Sequence, residues 1–302
     1  MTKMTSDFLS PIGVIDIGSN SVRLMIPNGF FDNKNLIKKE QVITQLASGF
    51  SDGKLSVDSM FNTLNAIKKL NDLALSKGAK KVYCFATAAV RNADNASDFI
   101  KLVKDTIGLD IDVVSGQVEA TLAVLGALGD DSGIVIDIGG ASSEVAYSTG
   151  GDIKYAKSHK IGAVSLYDKL GRKKEDIDNY LSSFIKEDSL LNLPTDTAYA
   201  IGGTATCLAY IKLGIKEYDA TKVHGTYLSY EDVKNLKDLL FTLSPNDLIK
   251  KYSLHEKRAK VISGGASILL TILDKYNLKG VYVSEKDNLE GYLKYLEKNY
   301  EK

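Results

Sequence analysis

The sequence predicts an α/β protein whose two similar halves face each other across a phosphate-binding cleft, and three stretches predict it. In Gly133-Ile-Val-Ile-Asp137-Ile-Gly-Gly-Ala-Ser-Ser-Glu144 a short apolar run ends on an aspartate, turns on glycines and hydroxyls, and closes on a glutamate. The run is too short for a helix and rich in β-branched residues, so it reads as a buried strand. Gly139 and Gly140 let the backbone come close to a ligand, and Ala141, Ser142 and Ser143 offer N–H and O–H donors to phosphate oxygens. Gly13-Val-Ile-Asp16-Ile-Gly-Ser-Asn-Ser21 repeats the same order near the start, which points to a duplicated domain. Ala198-Tyr-Ala-Ile201 followed by Gly202-Gly-Thr-Ala-Thr206 is a third strand-to-glycine junction. Two such loops facing each other put phosphate-binding backbone on both walls of a cleft, as a hydrolase or phosphotransferase requires.

With 302 residues the chain is long enough for two domains, and a chain of this size buries roughly 75% of its unfolded surface. Lysine plus arginine equals aspartate plus glutamate at 38 each, so no global field argues for nucleic acid or a membrane surface. Cys84 and Cys207 lie in apolar settings without metal-ligand spacing, which fits reduced core thiols. Met1 to Ser10 is polar, without the apolar stretch of a signal peptide. The longest apolar segment, Val261 to Leu273, is too short to span a bilayer. A soluble, cytoplasmic protein is expected.

Along the chain, Val22 to Ile26 reads as a strand with a turn at Pro27, Asn28 and Gly29. Ser56 caps a helix whose apolar positions Val57, Met60, Phe61, Leu64, Ile67 and Leu70 keep a helical period, ending near Gly78. Lys81 to Ala86 is a buried strand whose exit, Ala86 to Ala93, is small-residue backbone carrying Arg91. Phe99, Ile100, Val103 and Ile107 mark a helix, Ile111 to Val114 a strand, and Ser115-Gly116 opens a helix with Glu119 in its first turn. That helix leads into the second half, with strands at Ile134 to Ile138, Glu144 to Tyr147 and Ile153 to Lys157, and helices from Ala163, from about Lys174 and from Ser229. Lys257 to Leu273 is a helix in which Gly264 and Gly265 mark close packing. Strand Gly280 to Val283 precedes an amphipathic helix with Leu289, Tyr292, Leu293, Leu296 and Tyr300 on one face.

Taken together, Asp16 to Arg23, Ala86-Thr-Ala-Ala-Val-Arg91, Ser115-Gly116 with Glu119-Ala120, Asp137 to Glu144, Gly202 to Thr206 and Val223-His224-Gly225 resemble, in order, the motifs of the exopolyphosphatase / guanosine pentaphosphate phosphatase (Ppx/GppA) family. The resemblance implies two five-stranded ribonuclease H-like domains of the actin, hexokinase and Hsp70 superfold with an interdomain cleft. Residues 1–125 would form the first domain, with a C-terminal helix of about 287–302 packing back on it, and residues 126–286 the second. The family's catalytic glutamate falls on Glu119 and its two metal-site acids on Asp137 and Glu144. Such a carboxylate orients and deprotonates water, while Mg²⁺, or Mn²⁺ in its place, and backbone donors neutralise charge on the transferred phosphoryl. Asp16, Gly18, Ser19, Asn20 and Ser21, Gly139 to Ser143, and Gly203 and Thr204 fall on phosphate-binding loops, and Arg23 and Arg91 would clamp further phosphates. The resemblance implies polyphosphate or guanosine pentaphosphate as partner, and it allows a homodimer.

Plainer roles stand beside these. Glu119 could merely offset a helix dipole, worth ~0.3 to 1 kcal/mol; Arg91 could form a surface salt bridge, and His224 a structural hydrogen bond. The chain also departs from the family: Ala141 and Ser143 replace a glycine and a threonine, Val118 replaces an acid, and Thr121, Ser165 and Leu289 stand where arginine is common. The aspartate after the family's Arg-Ala pair is Lys260, following Arg258-Ala259. Fewer arginines argue against tight, processive binding of long polyphosphate. A non-catalytic polyphosphate or alarmone sensor, and an ATP-dependent kinase of the same superfold, are the competing functions; phosphate release without an acceptor separates them.

Overall fold

The computed structural model describes residues 11–27, 37, 39–48, 50, 52–186, 197–215 and 217–300. Asn28 and Gly29 of the expected turn, and the first ten residues, lie outside them. The first half runs β1 (Ile12–Ile17), β2 (Ser21–Met25), β3 (Lys39–Ile43), α1 (Val57–Ser76), β4 (Lys81–Ala86), α2 (Ala88–Arg91), α3 (Ala96–Ile107) and β5 (Asp112–Val113). Its sheet has the order β3-β2-β1-β4-β5, antiparallel across β1 to β3 and parallel from β1 through β4 to β5. That is the ribonuclease H-like order. Every residue of β1 is buried, Asp16 included, as its largely apolar run requires of a strand covered on both faces. Ser56 starts α1 by accepting the Ser59 N–H at 3.2 Å, and Met60, Leu64, Ile67, Leu70 and Ala74 turn inward at helical spacing.

The chain then enters α4 (Gly116–Ala127) and continues through β6 (Gly133–Ile138), β7 (Ser143–Thr149), β8 (Asp152–His159), α5 (Ala163–Leu170), α6 (Lys174–Lys186), β9 (Ala198–Ile201), α7 (Gly202–Leu213), α8 (Ala220–Val223), β10 (Tyr227–Ser229), α9 (Tyr230–Thr242), α10 (Pro245–Tyr252), α11 (Glu256–Lys275), β11 (Gly280–Val283) and α12 (Asn288–Tyr300). The second sheet, β10-β11-β9-β6-β7-β8, repeats the plan of the first from β8 to β11. It carries six strands rather than the five expected, because Tyr227–Ser229 adds antiparallel to β11.

Five elements have no counterpart in the sequence reading: α2, β3, α8, β10 and α10. β3 is a polar, partly exposed edge strand whose place comes from pairing with β2. β10 has only three residues. For α10 a signal was present, since Ser244, Pro245 and Asp247 form a capping box with proline in the first turn.

Two helices tie the halves together. α4 is buried nearly all round because α12 and β6 to β8 pack on different sides of it. The boundary expected between residues 125 and 126 falls inside it. α12 sets Leu289, Tyr292 and Leu293 among Ile12, Val14, Met25, Phe85, Val114 and Leu122, with the Tyr292 and Phe85 rings stacked at 4.4 Å. The two helices cross backbone to backbone. A Cβ at Gly126 would lie 1.9 Å from the Asp287 carbonyl oxygen, and one at Gly291 would lie 1.9 Å from that of Leu122. No helix among the described residues is long and apolar enough to cross a membrane.

Candidate active site

β1 and β6 end side by side, and their loops form opposite walls of one cleft. Asp16, Gly18, Ser19, Asn20, Ser21 and Arg23 line it from the first half; Asp137, Gly139, Gly140 and Ser142 line it from the second, with Gly203 and Thr204 beside them. The two loops have the same turn. Gly18 N–H donates to the Ser21 carbonyl at 3.0 Å and Gly139 N–H to the Ser142 carbonyl at 3.0 Å. The Ser19 and Asn20 carbonyls accept from Ala47 and from Thr44 and Gln45, while those of Gly139 and Gly140 accept from the start of α5. The loops nearly touch, since a Cβ at Gly140 would meet the Ser19 Cβ at 2.9 Å. That contact admits glycine alone without a shift of one loop.

Glu119 enters from α4, whose first turn is fixed by Ser115 accepting the Val118 N–H at 3.2 Å. The carboxylate lines the cleft, is 5% exposed, and accepts from Arg91 Nη1 at 2.8 Å. Burial pushes its pKa up, and Arg91 only partly offsets this. A buried carboxyl raised in this way is a stronger base than a free one. The salt bridge entertained for Arg91 is thus present, but with Glu119 itself. Arg91 does not line the cleft; its other bond, 2.9 Å to the Val114 carbonyl, anchors it to the strand end before α4.

Asp137 and Glu144 are cross-strand partners on β6 and β7, so their side chains share a face. Asp137 accepts from Asn288 Nδ2 at 2.9 Å, and Glu144, 1% exposed, accepts from Ser158 Oγ at 2.6 Å. Burial first, and then the negative charge of Glu119, push the Asp137 carboxyl up to about 7. Burial and the charges of Glu119 and Asp137 hold Glu144 well above the usual carboxylate range. Asp16, by contrast, faces Arg23 across β1 and β2 and accepts from its Nε at 3.0 Å. Arg23 Nη1 reaches Asp287 at 2.6 Å, and Lys39 reaches Asp287 at 2.9 Å and Glu290 at 2.8 Å. Burial works against the Arg23 charge, but Asp287 and Asp16 keep the guanidinium protonated.

Several expected phosphate contacts are corrected by these placements. Ser143 is fully buried and donates to the Ile161 carbonyl at 2.7 Å, because it is the first residue of β7 and points into the sheet's core. Ala141 packs against the first core instead of lining the cleft. Arg23, which lines the cleft, and Arg91, which does not, are each ion-paired with a carboxylate. His224 takes the plainer role, its Nδ1 accepting from Glu285 N–H at 3.2 Å. Sequence reasoning missed Asn288, Thr87, Gln41 and Arg258, all in the cleft lining. Arg258 donates to the Gly203 carbonyl; its Arg-Ala pair was a legible signal, whereas Asn288 and Gln41 had none.

Among the described residues no three His, Cys, Asp or Glu side chains form a ready-made metal cluster. The donor chemistry nonetheless fits a hard cation. Asp16 Oδ1, Asn20 Oδ1, Glu144 Oε2 and Asn288 Oδ1 are buried oxygens without a hydrogen-bond partner among the described residues. Mg²⁺ needs only one or two protein carboxylates, keeping waters for its other positions.

Two ribonuclease H-like sheets with glycine loops and acids converging in one cleft define the class of protein. The chain belongs to the Ppx/GppA phosphatase family, whose profile matches residues 29–299. It is 29% identical to a bifunctional 3-dehydroquinate synthase/phosphatase of Fusobacterium nucleatum, covering 92% of this chain and 45% of that protein. A guanosine-5'-triphosphate,3'-diphosphate pyrophosphatase of Photobacterium profundum is 27% identical, covering 90% and 56%. Exopolyphosphatase 2 of Mycobacterium tuberculosis is 25% identical, covering 94% and 97%. The chain therefore spans about half the length of the first two relatives and nearly all of the third. Among solved structures, the PPX-GPPA enzyme of Aquifex aeolicus is 31% identical with a TM-score of 0.77, covering 94% of this chain and 98% of that one.

Proposed function

We propose that the chain is a divalent-cation-dependent phosphohydrolase that releases terminal phosphate from inorganic polyphosphate or guanosine pentaphosphate, with Glu119 as the base that activates water. The observation that carries this is the position of Glu119: a buried carboxylate with raised pKa, in the cleft between two phosphate-type loops and held by Arg91. The substrate's terminal phosphoryl lies between the loops, where Gly139, Gly140, Gly18 and Ser19 bring backbone close to its oxygens. Glu119 takes the proton of the attacking water, and Arg91 fixes the carboxylate's direction. Asp137 and Glu144 would hold Mg²⁺ or Mn²⁺, which would supply positive charge against the phosphoryl oxygens.

The same reading favours short substrates. At the three positions where the family often carries arginine, Thr121 Oγ1 donates to the Gln117 carbonyl, Ser165 Oγ caps α5 at Gly162, and Leu289 lies in the apolar core. None of the three offers a cation to a long polyanion.

Glu119→Gln tests the base. Phosphate release should fall ~10² to 10⁴-fold, about 3 to 5 kcal/mol of transition-state stabilisation, while substrate affinity holds or rises as one negative charge leaves. Retention of most of the rate would overturn the assignment and favour a binding-only sensor. Running the assay on short and long polyphosphate, guanosine pentaphosphate and ATP ranks the substrates.

A further inference from the structure

We propose that Asn288 belongs to the divalent-cation site, its amide oxygen facing the ion or one of the ion's waters while its amide nitrogen holds Asp137. The inference rests on the cation dependence proposed above. Asn288 opens α12, is 4% exposed and lines the cleft. Its Nδ2 donates to Asp137 Oδ2 at 2.9 Å, which leaves Oδ1 of the same amide for another partner. That Oδ1 is buried and has no hydrogen-bond partner among the described residues. Buried polar atoms are nearly always satisfied, by protein, water or an ion.

Two further unsatisfied buried atoms of the cleft-lining residues, Asp16 Oδ1 and Asn20 Oδ1, are acceptors, as is Oε2 of Glu144, the cross-strand partner of Asp137. A site for an anion leaves donors waiting; a site for a hard cation leaves oxygens, carboxylate and amide alike. Neighbouring charges agree. Arg23 and Lys39 are matched by Asp16, Asp287 and Glu290, and Arg91 by Glu119, whereas Asp137 and Glu144 face each other with no cationic side chain paired to either among the described ion pairs. Asp287, next in the chain, is already used by Arg23, Lys39 and the Leu289 N–H. Asn288 is therefore the residue through which α12, a helix packed on the first half, reaches the acids of the second.

The experiment is a titration of the full chain with Mn²⁺, read by the EPR signal of the free ion, without substrate. Asn288→Leu, which removes both amide atoms at similar size, should weaken Mn²⁺ binding about ten-fold or more. Asn288→Asp keeps an oxygen and adds a charge, so it should bind at least as tightly as the parent. A residue that merely steadies Asp137 predicts the reverse, because Asp sets a second carboxylate against it. Parent-like binding by the Leu variant, or weaker binding by Asp than by Leu, overturns the proposal while leaving the cation reading intact. A parent chain that takes no Mn²⁺, with or without inorganic pyrophosphate, overturns both. Melts in EDTA report whether each variant is folded, and the Asp variant decides the question if the Leu variant is not.

Discussion

In the first half of the chain Asp16 lies directly across the strand pair from Arg23, whereas in the second half Asp137 lies across from Glu144. The backbones around the two pairs agree down to the 3.0 Å bond that closes each glycine loop. The electrostatics do not. The first pair is an ion pair extended by Asp287, Lys39 and Glu290 into a network of alternating charges. The second sets acid against acid, a juxtaposition that is destabilising when nothing intervenes. The two halves thus share one loop geometry and differ at one cross-strand position: the first pairs its acid with an arginine, and the second sets its acid beside another acid.

The largest expected effect breaks the first half. Arg23→Met leaves Asp16 and Asp287 buried without their guanidinium and should cost about 3 to 5 kcal/mol. A urea titration would show it as a lower midpoint at constant slope. The pH response should also distinguish Asp287 from Asp137. Asp287, although burial pushes it up, is held down to about 2 by Arg23 and Lys39, so the stability it contributes is present above its ordinary 3.8 and lost as pH falls through about 2. Asp137 is raised from 3.8 to about 7, so its contribution is present below 3.8 and lost as pH rises through about 7.

At about 1.4 kcal/mol per pH unit, Asp137→Asn should therefore gain on the parent by a few kcal/mol between pH 4 and 8 in EDTA. Parallel stability curves for the two proteins would contradict the acid-against-acid account. The smallest effect sharpens the loop comparison. Ser143 stands across from Ile138 as Val22 does from Ile17, and both are fully buried. Ser143→Ala should cost about 1 to 3 kcal/mol by stranding the Ile161 carbonyl, with phosphate release unchanged. A fall in rate at unchanged stability would instead return Ser143 to the phosphate site.

Much of this was legible in the residues. β1, β4, β6, β9 and β11 are short, mainly apolar runs, and α1, α4 and α9 announce themselves with serine caps at Ser56, Ser115 and Ser229. These are local signals, set by apolar composition or by the unsatisfied first-turn N–H groups. β3 and β10 gave none, since each is a short edge strand that exists through its neighbour. Within the candidate site, the loop motifs brought Asp16, Gly18, Gly139, Ser142 and Thr204 to notice, and the structure brings them into one cleft.

What the residues could not reveal was the charge partner of each group. The amino-acid order determined two glycine loops, an acid in the first turn of α4 and an apolar stripe on α12, because these depend on spacing within a few residues. Tertiary packing alone decided that Arg91 serves Glu119, that Arg23 is shared with Asp287 across 264 positions, and that Asn288 reaches Asp137 across 151. In a buried site the energy of a charge is set by what stands within a few ångströms of it, and those neighbours arrive from distant parts of the chain.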